Sequence, residues 1–185
     1  MELPKMTLAH MGITVKNLSV METFYTDVLG FRASDRGVAR GYPLVFLTRD
    51  PSDHHQIVFQ EQRRTDETTI NQISFQLDDL DGLRKMRDIL VKAQVKELKL
   101  VDHCVAWSVY CHDPEGNRLE FFVDSPFYVK PPMIQELNLN QSDEAVVEST
   151  KKEALNRSEL LLARRVEREV CLQLRCIDTA GVIKG

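Results

Sequence analysis

The sequence predicts an α+β protein in which two βαβββ modules form a cupped, barrel-like mixed sheet, followed by a helical C-terminal extension. Two observations predict this fold: an internal repeat at a spacing of 62 residues, and a change of composition near residue 126. The chain has 185 residues, of which 43% are hydrophobic. A chain of this length buries a full core without disulfides or a structural metal.

The internal repeat is a strand followed by a helix. Residues 8–15 alternate between apolar and polar side chains, and the apolar positions of the next segment recur at helical spacing until Gly30. The same order returns at residues 70–77, where Asp78, Asp79 and Asp81 are alternative N-caps of the second helix. A strand and helix repeated in this order predict a duplicated module.

Each predicted helix is followed by further strand-like segments. Residues 42–48 and 56–60 follow the first helix, and residues 95–100, 106–112 and 118–123 follow the second. Strands alternating with single helices complete the βαβββ interpretation.

The last two strand-like segments are joined by a turn at residues 113–117, in which a proline and a glycine favour a tight connection. If the turn is symmetrical, Tyr110 lies opposite Glu120 and Ser108 lies opposite Phe122. The register therefore predicts a tyrosine beside a carboxylate on one face of the hairpin.

Glu120 stands between two apolar residues of its strand, so a buried position would require a cation, a metal or a proton. A solvent-facing side chain, or a pair with Arg118, is the structural alternative. His10 in the first repeat aligns with Gln72 in the second at the 62-residue spacing. These two side chains and Glu120 would supply a three-point site for a divalent ion with open positions.

The composition change predicts a boundary between residues 1–125 and residues 126–185. No aromatic residue follows Tyr128, and three prolines mark the junction as an extended connector. Beyond it, one helix is predicted to begin at Ser142 and a second to cover residues 158–175. We expect this extension to brace a homodimer.

The charge balance narrows the classes of partner. The chain has 24 Lys and Arg against 28 Asp and Glu, a formal net charge of −4. Without a concentrated positive face, nucleic acid and anionic membrane surfaces are excluded as main partners, which leaves small molecules or proteins. With no secretion-signal pattern and no long apolar stretch, we expect a cytoplasmic protein.

Three segments resemble the vicinal oxygen chelate superfamily, which comprises glyoxalase I, bleomycin and fosfomycin resistance proteins and extradiol dioxygenases. They are the opening strand at residues 10–15, the helix end at residues 24–31 and the closing segment at residues 113–120. The resemblance covers residues 7 to about 124. The run from His103 through Tyr110 is most similar to single-module, catechol 2,3-dioxygenase-like members.

The resemblance implies a set of site residues. In the extradiol branch the metal ligands would be His10, Gln72 and Glu120, with His103 as acid/base and Tyr110 as hydrogen-bond donor. Gln72 departs from the branch, which has a histidine there. The resemblance implies Fe(II) as the metal. An amide oxygen is a weaker, neutral ligand than imidazole, so we expect Gln72 to lower the affinity for iron and to shift selectivity towards Mn(II), Ni(II) or Zn(II) as alternatives.

The leading functional hypothesis is therefore an extradiol-type ring-cleaving dioxygenase, an oxidoreductase that acts on a catecholic small molecule at a divalent metal. One alternative is a non-catalytic small-molecule-binding protein of the same fold, in which Gln72 marks the loss of the iron site. Another is a glyoxalase-like metal-dependent isomerase or transferase. Glyoxalase I enzymes use a further glutamate in the first repeat, and the equivalent position here is about Val58, which argues against isomerase chemistry.

Overall fold

The computed structural model describes residue 4, residues 6–129 and 132–156, and the backbone of residues 161 and 162. The first module contains β1 (Met11–Val15), α1 (Leu18–Thr23), β2 (Arg32–Ala39), β3 (Tyr42–Thr48) and β4 (Ile57–Glu61). The second contains β5 (Ile73–Gln76), α2 (Leu80–Lys92), β6 (Lys99–Asp102), β7 (Ala106–His112) and β8 (Arg118–Asp124). These are followed by β9 (Phe127–Tyr128), β10 (Gln135–Glu136), α3 (Asp143–Asn156) and β11 (Leu161–Leu162).

The strands confirm the α+β class and the duplicated module. The first sheet has the order β1-β4-β3-β2, and the second has the order β10-β6-β7-β8-β5. In each module the first strand pairs in parallel with the last, and the remaining pairs are antiparallel. Among the described residues the two sheets remain separate, so the cup is not a closed barrel.

The register confirms the 62-residue repeat at the level of single residues. Gly12 of β1 pairs with Val58 of β4, and Ser74 of β5 pairs with Glu120 of β8. Both members of the second pair lie 62 positions after those of the first. Val58 is therefore the structural equivalent of Glu120, as the sequence alignment of the two modules predicts.

One strand of the first module is absent from the sequence-based prediction. β2 is the edge strand of its sheet, and most of its residues are exposed. Its sequence is polar and contains Gly37, so it lacks the alternation that marks a half-buried strand. An edge strand makes backbone hydrogen bonds to a neighbouring strand on one side only, and it needs no continuous apolar face.

The helix of each module begins with a side-chain N-cap, and Asp79 is one of the three predicted N-caps of the second helix. Asn17 accepts a hydrogen bond from the backbone of Val20, and Asp79 accepts one from the backbone of Gly82. α1 continues as a π-helical turn, Phe24–Val28, and the segment ends at Gly30, which has a φ of +73°. No helix in the described part of the chain is long and apolar enough to cross a bilayer.

The segment after residue 126 packs against the second sheet. β10 extends that sheet beyond β6. The predicted helix beginning at Ser142 is confirmed as α3, and its buried Thr150 accepts a hydrogen bond from the Trp107 indole and donates one to Asp102. These contacts join the helix to β6 and β7. Dimer formation through this extension stays a prediction.

The predicted helix over residues 158–175 is wrong at the two residues of it that the structure describes. Leu161 and Leu162 form β11, which pairs antiparallel with Tyr128 and Phe127 of β9. Apolar residues at helical spacing also fit a short strand when an unpaired partner strand is near. The other residues of that prediction lie outside the described part of the chain.

A buried ion pair joins the first module to the β7–β8 turn. A guanidinium nitrogen of Arg63 lies 2.5 Å from Glu115 Oε2, and these side chains are only 7% and 5% exposed. The same carboxylate accepts hydrogen bonds from the backbone nitrogens of Lys16 and Asn17 at the end of β1. One side chain of the second module therefore holds two segments of the first.

We expect Glu115→Ala to destabilise the protein by about 3–5 kcal/mol, because it leaves the buried Arg63 charge without its partner. The measurement is urea-induced unfolding of the wild type and the variant. Asp81→Ala is the control, since the exposed Asp81–Lys85 pair on α2 contributes at most about 1 kcal/mol. A loss for Glu115→Ala no larger than that of the control would contradict the role assigned to this pair.

Candidate functional site

The candidate site is centred on the Glu120 carboxylate in the middle of β8. Its residue is 8% exposed, so the structure rejects the solvent-facing alternative. Tyr110 on β7 and Ser74 on β5 are its direct cross-strand neighbours, and the predicted pairing of Tyr110 with Glu120 is confirmed. Ser108 lies opposite Phe122, as the symmetrical turn predicts.

Four side chains donate hydrogen bonds to this carboxylate. Oε2 accepts from the amide nitrogen of Gln72 at 2.9 Å and from the hydroxyl of Ser74 at 2.6 Å. Oε1 accepts from the hydroxyl of Ser108 at 2.9 Å and from that of Tyr110. An ionised carboxylate has about four acceptor positions, so the protein itself supplies a full set of donors.

The hydrogen bonds keep Glu120 ionised despite its burial. Removal from water raises its pKa, but the hydrogen bonds from Ser74, Tyr110 and Ser108, together with the charge interaction with His103, outweigh this effect and lower the pKa below its ordinary value. The centre of the site is therefore a charged acceptor.

Tyr110 is the link between this carboxylate and His103. Burial, followed by the hydrogen bond and the negative charge of Glu120, raises the pKa of Tyr110 to about 12. The guanidinium of Arg118 lies 4.2 Å from the centre of the tyrosine ring and acts in the opposite direction. The phenol therefore remains a proton donor at neutral pH.

His103 completes a chain of three polar groups. Its Nδ1 lies 2.8 Å from the carbonyl oxygen of Met133, and its Nε2 lies 2.9 Å from the Tyr110 hydroxyl. The carbonyl only accepts, so Nδ1 carries a proton. The chain thus runs from the His103 ring through the Tyr110 phenol to the ionised Glu120 carboxylate.

Of the side chains predicted to hold a metal, Gln72 and Glu120 contact each other, and His10 contacts His55. Gln72 presents its amide NH₂ group to Glu120, because a carboxylate only accepts, and an amide NH₂ nitrogen does not ligate metals. His10 contacts His55, with ring centres 4.2 Å apart, and makes no hydrogen bond with Gln72 or Glu120. Among the described residues no three His, Cys, Asp or Glu side chains are placed to hold a metal ion.

These residues therefore do not fit Fe(II) as they stand. Turning the Gln72 amide would present a ligand oxygen but would also remove a donor from the Glu120 carboxylate. Ligation by His10, Gln72 and Glu120 stays a prediction, which elemental analysis can test. The structure brings Gln72, Glu120, His103 and Tyr110 together and leaves His10 beside His55.

A cavity of about 370 Å³ opens beside the Glu120 carboxylate. Its walls combine polar and apolar side chains: Ser74, His103, Val105, Ala106, Glu120, Phe122 and Asp124. This volume lies within the range of small-molecule sites. A larger cavity of about 690 Å³ between the modules shares Ser74 but contains no member of the His103, Tyr110 and Glu120 chain.

Sequence reasoning missed Ser74 and Met133 as members of this network, and it placed Ser108 opposite Phe122 without predicting its hydrogen bond to Glu120. Ser74 lies two residues after Gln72, and Ser108 lies two residues before Tyr110, so strand periodicity places each serine on the same face as the identified residue. That signal was present in the sequence. The Met133 carbonyl carries no side-chain signal, and only the path of the chain brings it to His103.

Paired βαβββ modules, with a polar cluster on the last strand of the second, define the class of protein. The chain belongs to the Glyoxalase/Bleomycin resistance protein/Dioxygenase superfamily, whose family model matches residues 7–121. The family predicted from the sequence is thereby confirmed. No curated protein matches the sequence.

Solved structures share the fold at low sequence identity. A glyoxylase/bleomycin resistance protein/dioxygenase domain from Frankia sp. EAN1pec is 18% identical with a TM-score of 0.56, and the match covers 67% of this chain and 100% of that one. Leishmania major glyoxalase I is 16% identical with a TM-score of 0.51, over 83% and 99% of the two chains. A point mutant of the fosfomycin resistance protein FosX from Listeria monocytogenes, complexed with Mn(II), is 19% identical with a TM-score of 0.51, over 62% and 90%.

We expect the stability contributed by ionised Glu120 to disappear in acid. Its pKa in the folded protein is lower than the ordinary value of 4.5, so this contribution is fully present above about pH 4.5 and is lost as the pH falls through the lower folded-state pKa. At neutral pH, Glu120→Gln should be less stable than the wild type by about 1–3 kcal/mol, because its amide NH₂ must face groups that donate.

The measurement is the free energy of unfolding of the wild type and of Glu120→Gln, obtained with denaturant from neutral to acid pH. We expect the difference between the two free energies to shrink as the pH falls. Glu148→Gln, at an exposed position of α3, is the control and should differ from the wild type by no more than about 0.5 kcal/mol. A Glu120→Gln difference that stays constant from neutral to acid pH would show that the charge of Glu120 contributes nothing to folding.

Proposed function

We propose that this protein binds a small hydroxylated aromatic molecule in the cavity beside Glu120, and that binding requires no metal ion. The observation that supports this proposal is the full set of four hydrogen bonds to the Glu120 carboxylate, one of them from the Gln72 amide NH₂ group. Among the sequence-based hypotheses, this is the non-catalytic binding protein of the family fold.

The chemistry of Gln72 supports a site that functions without a metal. A buried carboxylate needs positive or hydrogen-donating neighbours. Here four neutral donors and the adjacent His103 ring meet that need, so the carboxylate keeps its charge without a bound cation. Gln72 thus stabilises the same group that a metal would otherwise neutralise.

The walls of the cavity suit a flat molecule with hydroxyl groups. Phe122, Val105 and Ala106 supply apolar surface for a ring, while Glu120 and His103 supply polar groups at one end. A phenolic hydroxyl can donate to Ser74, whose hydroxyl gives its own proton to Glu120 and keeps an acceptor position at this end of the cavity.

We expect binding of 4-methylcatechol to the purified protein to be unaffected by EDTA, because no ligand contact passes through a metal. Isothermal titration calorimetry with and without the chelator tests this, in parallel with elemental analysis after anaerobic incubation with Fe(II). Glu120→Ala should weaken binding at least about tenfold, because it removes the charge that orients the hydrogen-bond donors around the cavity.

Asp88→Asn is the matched control, because Asp88 is an exposed carboxylate on α2 outside the cavity. It should bind 4-methylcatechol as the wild type does. Loss of binding in EDTA, or one equivalent of bound iron that is absent from Glu120→Ala, would overturn the metal-free proposal. Either result would favour a metal site at Glu120 instead.

The second candidate is the extradiol-type dioxygenase. The observation that favours it is the chain from His103 through Tyr110 to Glu120, because the resemblance assigns acid/base and donor roles to the first two residues. Its iron chemistry depends on the ligand position that Gln72 occupies. The equivalence of Val58 to Glu120 leaves no glutamate for isomerase chemistry of the glyoxalase type.

If the site descends from such a dioxygenase, we expect Gln72→His to bind Fe(II) and to cleave catechols, because imidazole replaces the weakest ligand. Oxygen uptake and the absorbance of the ring-opened product measure this outcome. Gln72→Leu, which supplies no ligand, is the control. A Gln72→His protein that takes up no iron would exclude the dioxygenase site, whereas turnover by the wild type would show that Gln72 itself suffices.

A further inference from the structure

The far end of the cavity holds a second carboxylate, on Asp124. Glu120, Phe122 and Asp124 alternate along β8, so their side chains lie on one face of the strand. The amide nitrogen of Gln76 donates to Asp124 Oδ2 at 2.6 Å, which fixes the orientation of this carboxylate. The face therefore runs from one carboxylate, past an aromatic ring, to another.

The charges along this face do not cancel. The described residues that line the cavity include two carboxylates, on Glu120 and Asp124, one imidazole, on His103, and no lysine or arginine. Arg118 contacts the ring of Tyr110 and is not part of the cavity wall. His103 contacts Tyr110 at the Glu120 end, and no basic side chain of the cavity wall lies beside Asp124, so the Asp124 end is negative.

The spacing of the two carboxylates sets the length of a matching ligand. Residues four apart in a strand are separated by about 13 Å. Subtracting a hydrogen bond of about 3 Å at each end leaves a span of about 7 Å between the ligand's two polar groups. The ring of Phe122 lies between them, and an aromatic ring face attracts a cation as well as another ring.

We propose that the cavity selects a cationic aromatic amine, with the hydroxylated ring at Glu120 and the ammonium group at Asp124. This inference rests on the proposed function and specifies the charge of its ligand. It predicts that, among molecules with the same ring, a positive substituent strengthens binding and a negative one weakens it.

The test compares three catechols of different charge by calorimetry on the full chain, under anaerobic conditions with EDTA. Dopamine carries an ammonium group, 4-methylcatechol is neutral and 3,4-dihydroxyphenylacetate carries a carboxylate. We expect dopamine to bind about tenfold more tightly than the acid, because opposite ligand charges reverse the sign of a partly solvated interaction. Added salt should reduce this preference.

Asp124→Asn keeps an oxygen for the Gln76 hydrogen bond and removes the charge, so it should reduce the preference to about threefold or less. Asp88→Asn removes an exposed charge elsewhere and should leave the preference unchanged. Equal binding of the three ligands, or a preference that survives in Asp124→Asn, would overturn this inference and leave the proposed function intact. Failure of all three to bind would overturn the proposed function and this inference with it.

Discussion

The burial of one carboxylate governs the arrangement around it. Glu120 lies in the middle of a strand with apolar neighbours on both sides, and an ion in that position is stable only when hydrogen-bond donors replace its water. The donors come from β5 and β7, which flank β8, and from Gln72 just before β5. Loss of any of these donors therefore weakens the stabilisation of the Glu120 charge.

The positions of these donors also depend on the tight turn between β7 and β8. Asp113 accepts hydrogen bonds from the backbone of Glu115 and Asn117, and Gly116 adopts a φ of +83°, which together hold the turn closed. Tyr25 of the first module also donates to Asp113. The turn that sets the pairing of Tyr110 with Glu120 is thus attached to the other module, and the site depends on how the modules pack.

The sequence predicts features that follow from periodicity and turn chemistry. The symmetrical turn predicts the hairpin register, and the 62-residue repeat predicts the equivalence of Val58 and Glu120. It does not predict β2, whose exposed edge carries no alternating pattern. Nor does it predict which atom of Gln72 faces Glu120, because that orientation depends on a contact between residues 48 positions apart.

Comparison of the two modules supports a binding role confined to the second. The Glu120 position, with its cross-strand partners Ser74 and Tyr110, corresponds in the first module to Val58, with Gly12 and Phe46. Gly12, Val58 and Phe46 carry no polar side chain, so this copy of the position is apolar. The first module folds with apolar residues at the equivalent positions. A polar cluster around Glu120 is therefore not required for this arrangement of strands to fold. Retaining a buried charge with four donors carries a desolvation cost, and the proposed ligand-binding role gives a reason for that cost which packing does not supply.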